Sequence, residues 1–144
     1  MSTEPNPAPR KKVSYVGAPA VFILDHACRQ VNDAYAYCEH ASIYMVGSAL
    51  TRPDWRDIDL RMMMSDADFE REFPDAHDNG AWEFDSKWML LTSAISGHLS
   101  KITGLPVDFQ FQPMTFANEH HRGRRHPMGM RLSRRTPSSD EPQE

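Results

Sequence analysis

Between Ile43 and Met64 the chain reads IYMVGSALTRPDWRDIDLRMMM, and this stretch leaves few folds open. It reads as an apolar strand stopping at Gly47-Ser48, a polar loop over Ala49 to Arg56, and a second strand, Asp57 to Met64. Side chains two apart on a strand share a face. Asp57 and Asp59 therefore project together and Arg61 continues their face, while Ile58, Leu60 and Met62 pack behind. Two carboxylates held this close repel unless a divalent cation lies between them, and oxygen donors suit Mg²⁺. A glycine ending the neighbouring strand lets a ligand's phosphates approach backbone that a larger residue would block. Alone, a D-x-D strand also describes a solvated outer face, and Gly-Ser an ordinary turn. Together they point to phosphoryl chemistry.

A third carboxylate follows. Leu105 to Pro113 alternates, with Val107, Phe109 and Phe111 facing one way and Asp108, Gln110 and Gln112 the other. Before it, Ala81 to Thr103 predicts a long helix whose buried stripe is Phe84, Trp88, Leu91, Ile95, Leu99 and Ile102, stopped by Gly104. Gly97 inside it predicts close packing on a sheet, because glycine weakens a helix intrinsically. An amphipathic helix is expected from Ala20 to about Glu39, with Pro19 in its first turn. Ser65 is expected to cap a short helix running to Phe73; Pro74 to Gly80 reads as a loop, and Thr115 to His121 as a short helix. Met62, Met63 and Met64 suit core filling. His26, His40 and His98 read as structural or surface residues, and His120-His121 diverge too far on a helix to share zinc.

The 144 residues make one domain with a single core. The expected divisions are an N-terminal arm over residues 1–14, a folded domain over 15–121 and a basic, partly disordered tail over 122–144. Acids outnumber bases from Val13 to His121, whereas Arg122 to Arg135 holds six arginines and no acid. Basic ends on an acidic body suggest contact with nucleic acid, protein or phosphates, or simply solvated arginines. Cys28 and Cys38 lie too far apart on one predicted helix to bridge, so both read as small core residues of a reduced, cytoplasmic protein. No apolar run approaches a membrane span, and the polar start lacks the apolar segment of a secretory signal.

The order hydrophobic strand, Gly-Ser, D-x-D strand, helix, and a further strand with one acid resembles the polymerase-beta-type nucleotidyltransferases, among them the kanamycin and minimal nucleotidyltransferases. The run LPVDFQFQPMTFANEHH followed by HPMGMR is similar to small nucleotidyltransferase-like proteins of actinobacterial bacteriophages, which would place the chain in a host cytoplasm. The resemblance covers about Ala41 to Gln112. It implies an α+β fold, a small mixed sheet of about three to five strands packed on helices on one face, with flexible termini. It puts Gly47 and Ser48 on the triphosphate of an incoming nucleotide. It makes Asp57 and Asp59 ligands for two Mg²⁺ (or Mn²⁺) ions and Asp108 the third carboxylate, as metal ligand or general base. Arg52, Arg56 and Arg61 are the local candidates for holding pyrophosphate; Arg124, Arg125 and Arg131 would require the tail to fold back. The chain departs from the family where Ala49-Leu50-Thr51-Arg52 replaces an Arg-Gly pair, and where Arg56 precedes Asp57.

The function this implies is metal-dependent transfer of an NMP from an NTP to an unidentified hydroxyl acceptor, on a small molecule, RNA or protein. With no sizeable second domain, acceptor selection falls to the tail, a second copy of the chain, or another protein. The alternative is a catalytically inactive nucleotidyltransferase fold that senses nucleotide or binds protein or nucleic acid.

Overall fold

The computed structural model describes residues 14–79 and 81–131. The expected N-terminal arm, except for Ser14, and the tail beyond Arg131 lie outside them. The elements run α1 (Ala20–Ala34), β1 (Ala41–Val46), α2 (Ser48–Thr51), β2 (Ile58–Met64), α3 (Asp66–Glu72), α4 (Pro74–Asn79), a 3₁₀ turn (Trp82–Phe84), α5 (Ser86–Thr103), β3 (Val107–Pro113), α6 (Met114–His120) and β4 (His126–Met128).

The four strands form one mixed sheet ordered β3-β2-β1-β4. The β1–β2 pair is antiparallel, β2–β3 parallel and β1–β4 antiparallel. This is the α+β class expected, with four strands inside the expected range. Strand alternation produces the core directly. Ile43 and Met45, then Ile58, Leu60, Met62 and Met64, then Val107, Phe109 and Phe111 all face one side and are buried against Leu24, Cys28, Phe69, Phe73, Trp88 and Leu99. The opposite face carries Asp59, Arg61, Asp108, Gln110 and Gln112. Only part of it is roofed, where Ala117 and Met114 of α6 pack on Val46, Met63 and Tyr44. The three methionines of β2 are fully buried core filling, as expected.

Helix α5 lies along the free edge of β3. Ser96 Oγ accepts from Phe109 N (2.9 Å) and donates to Phe109 O; Ser100 Oγ accepts from Val107 N (3.0 Å); Trp88 Nε1 donates to Phe111 O (3.0 Å). These bonds cover an edge that would otherwise offer itself to another chain. The close approach expected of Gly97 is therefore made by the serines. Gly97 itself sits one residue round the helix, exposed, with no neighbouring element within 4 Å of where a Cβ would sit.

Several expected boundaries shift. The long helix begins at Ser86, where the Asp85 carboxylate accepts from Trp88 N (3.0 Å). Residues 82–84 turn separately so that Trp82 packs edge-on against Phe69 and Phe116, which leaves Phe84 exposed; Ile102 is exposed as well. Pro74, read as part of a loop, instead opens α4 at the position where its missing N–H costs nothing. Helix α1 stops at Ala34, so Cys38 lies beyond it; both thiols are free, and burial pushes that of Cys28 up to about 12. The largest change concerns residues 122–131, assigned from sequence to the tail. They belong to the folded domain, because β4 completes the sheet and Met128 enters the core.

Ser65 caps α3 as expected, accepting from Asp68 N (3.1 Å). Asp68 in turn is buried and accepts from His40 N and Ser65 Oγ (both 2.8 Å) and pairs with Arg71. The His40 N–H foremost, with Ser65 and Arg71, holds its carboxyl down at about 2. A depressed carboxyl stabilises the fold above its ordinary value and loses that contribution as pH falls toward the folded one. Urea denaturation should therefore show wild-type stability falling from about pH 5 to pH 2, with a flatter profile in Asp68→Asn. At pH 7 the variant should be weaker by about 1–3 kcal/mol, the cost of leaving buried donors unmatched.

Candidate functional site

The antiparallel β1–β2 turn places Gly47 directly beside Asp59. Val46 is the register partner of Asp59, and the next residue turns away with φ +78° into α2. A Cβ on Gly47 would lie 2.5 Å from Asp59 Oδ2. Glycine is thus required twice over, by the left-handed backbone and by the carboxylate lying against it. The turn opens a cleft of about 340 Å³ lined by Ser48, Arg52, Asp54, Trp55, Arg56, Asp57 and Asp59. Its inner wall is held by Trp55 Nε1, which donates to Tyr15 O (3.0 Å).

Asp59 and Asp108, distant in sequence, are partners in the parallel β2–β3 register and share the open face. Asp57 sits one residue before β2, exposed at the mouth of the cleft. Burial raises the Asp59 carboxyl above its ordinary value; Arg61 opposes that rise, and Asp108 and Asp57 both add to it. Asp59 is thus the carboxylate on which the fields of the other two converge. Of the three acids expected together, Asp59 and Asp108 share one face, Asp57 shares the cleft with Asp59, and Asp108 lies outside that cleft.

The cations divide differently from expectation. Arg52 lines the cleft but is engaged bidentately by Asp54 (3.0 and 2.8 Å). Arg56 lines the cleft and is exposed. Arg61, grouped by sequence with the pyrophosphate-holding arginines, is buried beneath the carboxylates and outside the cleft lining. Its Nη1 donates to Leu60 O (2.9 Å) and Asp108 O (2.8 Å), and its Nη2 lies 3.4 Å from Asp108 Oδ2 and 3.8 Å from Asp59 Oδ1. The chain does fold back after α6, but its arginines serve the fold. Arg124 Nη2 donates to Leu50 O (3.0 Å), Arg125 bonds His121 O, Ala117 O and Asn118 Oδ1, and Arg131 pairs with Asp33 (2.9 Å). His120 stacks on Phe116 while His121 bonds Gln112 Oε1 (2.9 Å), so the two rings part company as expected.

No protein-family model, curated protein or solved structure matches the chain. Among the described residues no three carboxylate, imidazole or thiol groups stand close enough to enclose a metal ion. Of the three carboxylates lining the cleft Asp54 is taken up by Arg52, which leaves Asp57 and Asp59 as oxygen donors with the Ser48 hydroxyl. That donor set suits a hard divalent ion bound through a few ligands and its own waters, as Mg²⁺ is commonly held. Asp108 lies outside the cleft lining and faces Arg61. The described residues contain no helix long and apolar enough to cross a membrane.

Proposed function

We propose that the chain is a Mg²⁺- or Mn²⁺-dependent nucleotidyltransferase that moves an NMP from an NTP to a hydroxyl acceptor. One observation carries the reading. Asp59 and Asp108 meet as register partners on an otherwise open face, at the end where the exposed Gly47 lets the Asp59 carboxylate lie against the backbone and Asp57 lines the cleft. Asp57 and Asp59 hold the divalent ion, which when bound neutralises charge on the phosphates. Ser48 and the backbone after Gly47 face the triphosphate, and Arg56 offers a cation on the same cleft. The acceptor oxygen attacks the alpha phosphorus, its proton passes to Asp108, and the bond from that phosphorus to the bridging oxygen breaks to release pyrophosphate. Proton removal by a positioned carboxylate contributes about 10²–10⁴-fold.

The test incubates the protein with each labelled NTP, Mg²⁺ or Mn²⁺ and a lysate supplying acceptors. Transferred label is expected, with NTP binding lost in Asp57→Ala. Asp108→Ala should lower transfer about 10²–10⁴-fold and leave NTP binding in place. Absence of metal-dependent heat on titration with any NTP would sink the proposal. A second reading, a module that binds nucleotide without transferring it, is favoured by the pairing of Asp108 with Arg61. NTP binding without label transfer to any lysate component would decide for it.

A further inference from the structure

We propose that Arg61 is the resident cation of this site. It occupies the space between Asp59 and Asp108, so that the protein alone takes one divalent ion, at Asp57 and Asp59, and Asp108 is left free of metal. The inference rests on the metal binding proposed above and fixes how many ions the chain holds and which carboxylates hold them.

Arg61 is 8% exposed and projects from β2 two residues beyond Asp59, on the same face. Parallel pairing sets Asp59 opposite Asp108 and Arg61 opposite Gln110. The guanidinium therefore reaches diagonally across the strand pair to Asp108. Two backbone carbonyls, Leu60 O and Asp108 O, fix Nη1, and that leaves Nη2 directed at both carboxylates. Its Nε is buried with no hydrogen-bond partner among the described residues. An arginine cannot shed its charge, so a buried one requires a carboxylate beside it, which Asp108 supplies at 3.4 Å with Asp59 farther off at 3.8 Å. Two unscreened carboxylates facing each other on adjacent strands are unfavourable. The pair and the guanidinium thus stabilise one another without any ion.

Charge balance then sets the count. Asp57, Asp59 and Asp108 with Arg61 leave two net negative charges, and Arg56 on the same cleft offsets part of these, so one divalent ion suffices; a second would have to enter against both arginines. A further ion can come only with a ligand that brings its own negative charge, such as the phosphates of an NTP. Asp108 Oδ2 faces Arg61 and Oδ1 accepts only a long bond from Gln110 Nε2 (3.4 Å), which the acceptor hydroxyl displaces. Its side chain is 45% exposed, open enough for an acceptor to reach.

The measurement is a Mn²⁺ titration of the full chain without nucleotide, with free ion counted from its paramagnetic resonance signal. One ion per wild-type chain is expected. Two ions would overturn the inference and leave the metal reading standing, whereas none would overturn both. Asp108→Asn, a change at a half-exposed position, should still bind one ion, with Kd altered by less than about tenfold; loss of the ion there would make Asp108 a ligand and end the proposal. Arg61→Met should raise the count to two, and Arg61→Lys should keep it at one. Circular dichroism establishes that each variant is folded. A folded Arg61→Met that still takes one ion would also overturn the inference, and the wild-type and Asp108→Asn counts decide it if Arg61→Met does not fold.

Discussion

Replacing Asp59 by asparagine should abolish transfer while leaving the fold at least as stable as wild type. The carboxylate is held where burial, Asp108 and Asp57 all raise its proton affinity, opposed only by Arg61. An acid whose folded value is raised favours the folded state when protonated. Its contribution is full below the ordinary carboxyl value and is lost as pH rises through the folded one. Near neutral pH the charged Asp59 therefore works against the fold, and the neutral amide removes that penalty. Transfer should fall about 10³-fold or more, the scale of several kcal/mol lost when an ion is no longer held against developing charge. The signature is the combination. In thermal melts at pH 7, Mg²⁺ with NTP should raise the Tm of wild type by mass action and leave that of Asp59→Asn unmoved. The metal-free Tm of the variant should be no lower than that of wild type. Full transfer activity in the variant would remove Asp59 from the chemistry altogether.

Much of this site was legible in the chain because strand alternation is a strong rule. Once Ile58, Leu60 and Met62 are assigned to the core, Asp59 and Arg61 have to face away from it, and the same logic on Val107, Phe109 and Phe111 delivers Asp108. Alternation says nothing about lateral register, however. That Arg61 would bend to the Asp108 carbonyl, and be withdrawn from any pyrophosphate, depends on the parallel offset between β2 and β3. Likewise the Phe84-to-Ile102 stripe followed helical spacing correctly within α5 at Trp88 and Leu99. It failed at both ends, where a separate turn carries Phe84 and where Ile102 is exposed. Spacing describes a helix and leaves open how far its neighbours extend. The sequence HPM, three residues with a proline, carries no pattern that announces a strand; only its partners define it.

Those partners make the segment after α6 the second place where a large effect is expected: a chain ending at His121 should not fold stably. Met128 is 1% exposed in the core, a burial worth about 1.5–3 kcal/mol. Asn32, buried on α1, donates from Nδ2 to Met128 O and Gly129 O (both 2.9 Å) and accepts from Ile43 N at Oδ1 (3.2 Å). It thereby ties α1, β1 and β4 together, and removing β4 leaves its amide buried and unmatched at about 1–3 kcal/mol. Against a total stability of about 5–15 kcal/mol for a domain, losses of this size are severe. A point substitution isolates the same contact. Gly129 has φ +63°, and a Cβ there would lie 2.3 Å from Arg29 N and 2.5 Å from Cys28 C, backbone that cannot swing aside. Gly129→Ala should cost more than the about 1–2 kcal/mol of the left-handed conformation alone. Gly123→Ala, with nothing within 4 Å and no such φ, should fall within about 0.5 kcal/mol of wild type. Urea denaturation separates the two. Equal midpoints for Gly129→Ala and Gly123→Ala, or a cooperative transition at the wild-type midpoint in the shortened chain, would return residues 122–131 to the status of a dispensable tail.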